Sequence, residues 1–360
     1  MAGVYVHIPF CKKRCLYCDF FSTTLLEKRQ EYIEALLREI AARKQETNEP
    51  IRTIYLGGGT PSTLEANDIK RIIEAIGTKD AEEITMEFNP GDATPSYLQA
   101  IRAAGVNRLS IGIQSFQDEL LQLIGRRHTA AQAIEAVHMA QEAGFDNLSI
   151  DLIYALPTQT MEQWEADIRT ALSLHVQHIS TYGLMYEEGT AMTRQLEAGT
   201  IEAIDEEMEN AMYDTLCVRL KQAGFIHYEV SNFALPGREA KHNSSYWDGT
   251  PYIGVGAGAH SYLPPVRSWN PDDLETYLCG IQEGTLQRES ETLTERDLYN
   301  ERIMLGLRTC RGVLGPFSVQ SRSILDAFTR DGLVTEQDGS VVATQKGLHI
   351  LNRIIEELMI

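Results

Sequence analysis

Short apolar segments alternate with longer segments of helical periodicity through the first half of the chain. The short segments predict strands, and the segments that follow them carry apolar side chains at three- and four-residue intervals, which predicts helices. The predicted strands are residues 3–9, 53–56, 84–88, 108–113, 148–154 and 178–185, and the predicted helices are residues 27–44, 67–76, 95–104, 129–143 and 161–174. This alternation is typical of a parallel β-sheet covered by helices.

Six strand–helix units are too many for a simple four-stranded sheet and too few for an eightfold barrel. The pattern therefore predicts an α/β fold in the form of an open partial (β/α)6 barrel. In barrels of this kind the chemistry lies at the carboxyl ends of the strands, on the loops that lead into the helices. Cysteines, glycines and isolated polar residues follow the predicted strands, so we look for a site there.

The pattern changes after about residue 200. A long amphipathic helix is predicted at 206–223, and an α+β extension follows. The last segment predicts helices at 295–307, 319–328 and 346–358, with a hairpin around Asp338-Gly339, which is a strong turn signal. This order resembles a winged helix. We therefore predict three domains, with the barrel at 1–200, the extension at 201–290 and the winged-helix-like domain at 291–360.

Charge narrows the possible partners. The chain has 51 acidic and 32 basic residues, a net charge of −19, and residues 295–360 carry 8 basic and 9 acidic side chains. Nucleic-acid binding relies on basic surfaces, so we expect no nucleic-acid partner. No apolar run approaches the roughly 20 residues of a membrane span, and no secretory signal precedes the first strand. We expect a cytoplasmic protein with free thiols at Cys217, Cys279 and Cys310.

Three cysteines form the most distinctive motif of the chain. Cys11, Cys15 and Cys18 have the spacing C-x₃-C-x₂-C. Three thiolates can hold three irons of a [4Fe–4S] cluster and leave the fourth iron open. A structural zinc site is the first alternative, but it usually has four ligands, and the loop supplies no fourth Cys or His. Three buried free thiols are the second alternative, which leaves the clustering unexplained.

This spacing, with Tyr17 before the third cysteine, resembles the signature of the radical S-adenosylmethionine (SAM) superfamily. The preceding segment, Tyr5-x-His7-Ile8-Pro9-Phe10-Cys11, resembles the HemN/HemW group, which contains oxygen-independent coproporphyrinogen III oxidase and a heme chaperone. The resemblance implies that SAM chelates the open iron, and that one electron cleaves SAM to give methionine and a 5′-deoxyadenosyl radical.

The resemblance also implies which residues bind SAM. They are Tyr5, Tyr17, Gly58, Gly59, Thr60, Glu87, Gln114, Arg126 and Asp151. Each has an alternative interpretation. The glycines are also typical of a turn, and Tyr5 could be an ordinary core residue. Glu87 and Arg126 could be solvated surface charges. Asp151 interrupts an apolar strand, where a buried carboxylate needs a ligand or a basic partner.

A second motif lies in the extension. The segment His242-Asn243-Ser244-Ser245-Tyr246-Trp247, predicted as a loop, resembles an H-N-x-x-Y-W motif implicated in heme handling. Imidazole can ligate heme iron, and Tyr246 and Trp247 could stack on a porphyrin. The alternative is that the histidine and the two aromatic residues pin this segment on the barrel mouth. For His7, in the first strand, we expect a structural hydrogen bond.

Two features separate the two activities of the group. Coproporphyrinogen oxidases of this type carry a fourth cysteine two residues beyond the third, and this chain has Phe20 there. They also have an N-terminal extension, and only ten residues precede Cys11 here. We therefore expect a heme chaperone without coproporphyrinogen oxidase activity, with coproporphyrinogen III oxidase as the alternative. The implied partners are heme, apo-hemoprotein acceptors, a low-potential electron donor such as flavodoxin or ferredoxin, a peripheral contact with membrane proteins, and a second copy in a homodimer.

Overall fold

Six parallel strands form the centre of the protein. The computed structural model describes residues 2–77 and 79–360. The strands are β1 (Ala2–Ile8), β2 (Ile51–Gly58), β3 (Glu83–Phe88), β4 (Arg108–Gln114), β5 (Leu148–Tyr154) and β6 (His178–Gly183), and they pair in this order. The helices between them are α1 (Arg29–Arg43), α2 (Ala66–Ile76), α3 (Pro95–Ala103), α4 (Asp118–Leu123), α5 (Ala130–Glu142) and α6 (Met161–Ser173).

Side chains alternate along these strands between an apolar face and a polar face. In β4, Leu109, Ile111 and Ile113 are buried in the main hydrophobic core together with apolar residues of the surrounding helices. Arg108 and Ser110 alternate with them and face the interior of the curved sheet. The helices therefore cover the apolar face, and the interior of the barrel is lined by polar side chains.

The strands after β6 extend the same sheet at both of its edges. The elements of this region are α7 (Ala191–Glu197), α8 (Glu206–Gln222), β7 (Ile226–Glu229), β8 (Asn232–Ala234), α9 (Lys241–Trp247), β9 (Tyr252–Val255), β10 (His260–Leu263), β11 (Val266–Trp269), α10 (Leu274–Glu283) and β12 (Glu289–Thr292). The full order is β12-β11-β10-β9-β1-β2-β3-β4-β5-β6-β8-β7. Over the described residues this sheet keeps two edges, which confirms an open barrel.

The C-terminal segment has a small core of its own. Its elements are α11 (Glu295–Gly306), β13 (Val313–Leu314), α12 (Val319–Arg330), β14 (Val334–Gln337), β15 (Ser340–Ala343), α13 (Gln345–Leu348) and α14 (Leu351–Leu358). The three strands pair as β13-β15-β14, and a separate cluster of buried apolar residues joins them to the helices. Asp338 and Gly339 both have positive φ, as a tight two-residue hairpin requires. The helix–helix–hairpin order predicted for this segment is confirmed.

The sequence pattern predicts the first half of the fold closely. The six predicted strands and the five helices between residues 27 and 174 are confirmed, whereas the short helix α4 is not predicted. The prediction of a loop at 241–247 is wrong, because these residues form α9. The Glu83 carboxylate accepts hydrogen bonds from the backbone N–H groups of Lys241 and His242, which supplies acceptors at the helix start. In the described part of the chain, no helix is both long and apolar enough to span a membrane.

Candidate functional site at the mouth of the barrel

The three cysteines lie in the loop that follows β1, at the carboxyl end of the strand. Three backbone hydrogen bonds fix this loop: Cys11 N–H donates to Thr23, Leu16 N–H donates to Ile124, and Met192 N–H donates to Leu16. The side chains of Leu16 and Tyr17 pack against a small apolar cluster between α4, β5 and α7. The loop is therefore held by neighbouring elements on several sides.

Each thiol has a distinct environment. Cys11 is buried and its Sγ lies 3.4 Å from Thr60 Oγ1, whereas Cys15 is partly exposed and its Sγ accepts a hydrogen bond of 3.4 Å from Arg126 Nη1. Burial raises the pKa of the Cys11 thiol, and it raises the pKa of Cys18 to about 11. Deprotonation of both therefore needs a compensating positive charge, which iron would supply.

The donor set fits an iron–sulfur cube better than a single ion. Among the described residues, no three His, Cys, Asp or Glu side chains are arranged to hold one metal ion. A zinc ion requires all its ligands within about 2.0–2.3 Å of one point. In a [4Fe–4S] cube each thiolate binds a different iron, so three thiols spread along one loop suit it. Three thiolates on a loop that supplies no fourth Cys or His suit a cube with one open iron.

The glycine segment at the end of β2 packs tightly against β1. Gly58 has a φ of +110°, and a Cβ on it would lie 2.5 Å from the His7 ring. A Cβ on Gly59 would lie 2.7 Å from the backbone carbon of Pro9, and Gly59 N–H donates to Ile8 O. Close packing of two strand ends thus accounts for both glycines without any ligand. Their predicted contact with SAM remains a separate hypothesis.

Glu87 lies beneath this segment on the interior face of β3. Its Oε2 accepts the Gly58 N–H at 3.0 Å and its Oε1 accepts the Tyr55 hydroxyl at 2.9 Å. Burial raises the pKa of Glu87 to about 7, and the nearby Asp151 carboxylate acts in the same direction. The alternative of a solvated surface acid is therefore not supported, because Glu87 lies largely buried at the strand end.

Tyr5 and His7 occupy the interior face of β1. His7 Nε2 lies 2.9 Å from the carbonyl oxygen of Phe21, and Nδ1 lies 3.0 Å from Tyr5 Oη. A carbonyl oxygen only accepts, so Nε2 carries the proton and Nδ1 accepts from the tyrosine hydroxyl. Burial lowers the pKa of His7 to about 4, which keeps the ring neutral. The structural hydrogen bond expected for His7 is confirmed.

The last three candidates lie together where β4 and β5 end. Gln114 has a φ of +75° beside an irregularity in the pairing of these strands. The Asp151 carboxylate accepts the Ser110 hydroxyl at 3.1 Å, and burial raises its pKa. Arg126 donates to Gly112 O as well as to Cys15 Sγ. Its guanidinium thus links the cysteine loop to β4, and its charge partly opposes the rise in the pKa of Asp151.

Several interior residues are not among the candidates predicted from the sequence. The Arg108 side chain is buried in the polar interior; burial lowers the pKa of His178 and of His242, and the Arg108 charge acts in the same direction. Tyr55 joins Glu87 to the rings of Tyr5 and His242, with ring centroids 6.1 and 5.3 Å away. The signal for Arg108 is the strict alternation of polar with apolar positions in Arg108-Leu109-Ser110-Ile111-Gly112-Ile113.

The H-N-x-x-Y-W segment lies at the opposite end of the barrel from the cysteines. His242 is fully buried, its Nδ1 lies 2.8 Å from Thr53 Oγ1, and its Nε2 lies 2.8 Å from Tyr246 Oη. Thr53 precedes Gly58 by five residues of β2, or roughly 16 Å along the strand. Burial lowers the pKa of His242 to about 3. In this arrangement neither ring nitrogen is free to ligate iron, while Tyr246 and Trp247 are partly exposed.

The structure thus brings most candidates together at the mouth and leaves one set apart. Contacts connect Cys11 with Thr60, Cys15 with Arg126, and Gly58 with Glu87. Tyr5, Tyr17, Gln114 and Asp151 line the same region, whereas His242, Tyr246 and Trp247 do not. The mouth therefore brings thiols, carboxylates and a guanidinium into one region. The far end offers a histidine whose bonds hold α9 to β2.

Comparison with known protein families matches two parts of the chain. Residues 5–171 match the family described as the radical SAM superfamily, and residues 293–350 match the family described as the HemN C-terminal domain. The first match covers the second half of β1, the cysteine loop and strands β2 to β5. The second covers most of the winged-helix-like segment.

Individual proteins match over most of the chain. The heme chaperone HemW of Lactococcus lactis subsp. lactis (strain IL1403) is 40% identical over 87% of this chain and 83% of its own length. The heme chaperone HemW of Bacillus subtilis (strain 168) is 34% identical over 98% of both chains. The solved structure of the radical SAM enzyme coproporphyrinogen III oxidase (HemN) from Escherichia coli matches with a TM-score of 0.84 at 24% identity, covering 99% of this chain and 90% of that chain. This last likeness establishes a shared fold.

Proposed function

Because the chain belongs to the HemW family within the radical SAM superfamily, we propose that it is a heme chaperone, which binds heme and transfers it to apo-hemoproteins. The observation that carries this proposal is the match to the B. subtilis heme chaperone over 98% of both chains. The alternative, oxidative decarboxylation of coproporphyrinogen III, is a less good fit, because Phe20 occupies the position at which those oxidases carry a fourth cysteine.

Cys11, Cys15 and Cys18 hold the [4Fe–4S] cluster in this proposal. A bound cluster and SAM would supply one-electron reductive chemistry, and the chain would supply the setting for it. Arg126 places a positive charge against the Cys15 sulfur, and a hydrogen bond to sulfur stabilises its thiolate form. The burial of Cys11 beside Thr60 keeps water away from the first ligand.

The same proposal assigns SAM to the mouth of the barrel. Gln114 and Asp151 offer an amide and a carboxylate to the ribose or the ammonium group, and Glu87 offers a second carboxylate. Tyr5, Tyr17, Gly58, Gly59, Thr60 and Arg126 complete the proposed contacts. Both Glu87 oxygens already accept hydrogen bonds from the protein, so we propose that Glu87 acts on SAM chiefly by fixing the Gly58 backbone.

For heme, the geometry supports a pinning role for the H-N-x-x-Y-W segment, at the far end of the barrel and not at the mouth as the sequence suggested. We propose that His242 fastens α9 to β2, since ligation of iron would require the loss of a hydrogen bond to Thr53 or Tyr246. Tyr246 and Trp247 remain available to a porphyrin face, because both are partly exposed. In this proposal the axial ligand of heme iron is a residue other than His242.

Anaerobic heme titration of the cluster-loaded full chain, with and without SAM, tests the proposed function. Bound heme is followed by its visible absorbance and then challenged with apo-myoglobin as the acceptor. We expect stoichiometric binding and transfer faster than from heme bound to serum albumin, which serves as the control. Failure to bind heme, or retention of heme in the presence of the acceptor, would refute the proposal. A parallel anaerobic assay with coproporphyrinogen III, SAM and reductant should yield no protoporphyrinogen IX.

A further inference from the structure

The cysteine loop carries positive charge on a strongly acidic protein. Residues 11–20 contain Lys12, Lys13 and Arg14 against the single acid Asp19, three positive charges minus one, whereas the whole chain has a net charge of −19. All four of these side chains are exposed. A basic surface on an acidic protein creates a local field that orients an approaching anionic partner.

The three basic residues of this loop have different surroundings. Lys12 Nζ pairs with Asp92 Oδ1 at 2.7 Å, and the Asp92 side chain, only 3% exposed, also accepts the Ser62 hydroxyl. Lys12 is therefore committed to fastening the loop to the segment after β3. Over residues 2–77 and 79–360, Lys13 has no ion pair, and the hydrogen bond of Arg14 runs from Nη2 to the carbonyl oxygen of Phe20 at 3.3 Å. Lys13 and Arg14 thus present unneutralised charge to solvent.

An apolar side chain lies beside these two cations. Phe20 is 64% exposed, although it follows the third cysteine by only two residues. A large aromatic group left in water next to an arginine is a common composition for a protein-binding surface. The hydrogen bond from Arg14 to the Phe20 carbonyl holds the two residues together. We call Lys13, Arg14 and Phe20 the loop surface.

The loop surface lies directly over the cluster ligands. Arg14 is adjacent to Cys15 in the chain, and its guanidinium donates to the carbonyl oxygen of Phe20, two residues beyond Cys18. Cys15 and Cys18 are partly exposed, unlike Cys11. A protein bound to the loop surface would therefore sit against the part of the cluster nearest to solvent.

We propose that the loop surface is the docking site of a small acidic one-electron carrier protein, which reduces the cluster. This inference rests on the proposed function, in which a bound cluster and SAM supply one-electron reductive chemistry. The reduced carrier loses one electron and the cluster gains it, so no bond is formed and no proton moves. The acidic remainder of the chain repels the same carrier, and this repulsion confines productive encounters to the loop.

Charge reversal on the loop surface tests the proposal. The cluster-loaded full chain and its Lys13→Glu/Arg14→Glu variant are titrated with FMN-loaded flavodoxin and with a [2Fe–2S] ferredoxin, by calorimetry at low and high salt. For at least one carrier we expect the reversal to weaken binding about tenfold or more at low salt, with the difference shrinking at high salt. Phe20→Ala should weaken binding roughly fivefold at both salt concentrations.

A control variant distinguishes the effect of charge on the loop surface from the effect of the net charge of the chain. Lys44→Glu/Lys221→Glu makes the same change in net charge at exposed positions of α1's end and of α8, and it should bind nearly as the unmodified chain does. Reduction of the cluster by dithionite, which needs no docking, should be equally fast in all variants, whereas reduction by the carrier slows only in the loop variants. Equal losses in both double variants, or no binding of either carrier, would overturn the proposal. Heme transfer fails or succeeds independently of this binding measurement, so failure of the two proposals can be told apart.

Discussion

Gly58 donates its backbone N–H to Glu87 Oε2 over 3.0 Å, and this bond ties the end of β2 to the interior of β3. The other carboxylate oxygen accepts the Tyr55 hydroxyl. A charged carboxylate in a largely buried place is costly, and burial raises the pKa of Glu87 to about 7. Both Glu87 oxygens thus accept hydrogen bonds, whereas burial disfavours the ionised form of the carboxyl group. This should be measurable in the pH dependence of stability.

We expect Glu87→Gln to flatten the dependence of stability on pH. An unfolded glutamate has a pKa of about 4.3. Between that value and about 7 the folded chain retains a proton that the unfolded chain has lost, so the stability of the unmodified protein falls as pH rises through this window. The glutamine cannot ionise, so its contribution to this slope disappears. Urea denaturation at several pH values between about 5 and 8 measures the slope.

Glu65→Gln is the matched control for this prediction. Glu65 is exposed before α2, and its substitution should leave the slope unchanged. Part of the slope should persist in Glu87→Gln, because burial also raises the pKa of Glu229 to about 7. Parallel curves for the unmodified chain and Glu87→Gln would show that Glu87 is not protonated in the folded chain near neutral pH.

Gly58→Ala should be much more destabilising than a glycine substitution at a similar backbone conformation elsewhere. Its new Cβ would meet the His7 ring at 2.5 Å, in addition to the strain of a φ of +110°. Gly237 has a φ of +75° with no neighbouring atom within 4 Å, so Gly237→Ala reports conformational strain alone. We expect losses of about 3 kcal/mol and about 1 kcal/mol respectively in the free energy of unfolding. Equal losses would mean that His7 moves aside without cost.

Cys15→Ala should abolish cluster assembly. The variant removes one of three thiolates and leaves the Arg126 guanidinium without its sulfur partner. After anaerobic reconstitution we expect the visible absorbance of the cluster to be lost, and iron to fall from roughly four atoms per chain towards background. Cys217→Ala is the control, since that cysteine lies on α8 away from the loop, and it should retain full iron. Four irons per chain in Cys15→Ala would show that the ligand assignment is wrong.

The first half of the fold is predictable because its information is local. Strand periodicity and helical periodicity are properties of neighbouring residues, and both are clear from Ala2 to Gly183. Strands β9 to β12 could not be predicted in this way. They are only four residues long, and β9 pairs with β1 across some 250 positions of sequence, with Gly3 opposite Tyr252. A pairing of that kind depends on tertiary packing rather than on local preference.

The residues of the candidate site also differ in whether the sequence alone predicts their location. The C-x₃-C-x₂-C spacing locates the cysteine loop because the ligands are neighbours in sequence. The location of His242 could not be predicted, since it depends on the contacts of α9 with the starts of β2 and β3. Residue types alone suggested the barrel mouth, and the hydrogen bond to Thr53 puts His242 at the other end. Glu83 lies opposite Thr53 in the pairing of β2 with β3. The sequence contains both residues, but their proximity can be recognised only when the register of the two strands is known.

His242→Ala separates a fastening role from a ligand role. The substitution removes two hydrogen bonds and the ring stacked on Tyr55, so we expect a loss of about 2–4 kcal/mol in the free energy of unfolding.

Tyr246→Phe removes only the hydroxyl that occupies Nε2 and should cost about 1–2 kcal/mol. If His242 fastens α9, heme titrated into either folded variant gives the same absorption spectrum as with the unmodified chain, because the axial ligand is unchanged. If His242 ligates heme, His242→Ala alters that spectrum, whereas Tyr246→Phe strengthens heme binding by freeing the ring nitrogen. The two variants therefore have opposite effects on heme binding only when the histidine is an iron ligand. A heme absorption spectrum recorded at equal fractions of folded protein decides between the fastening role and the ligand role.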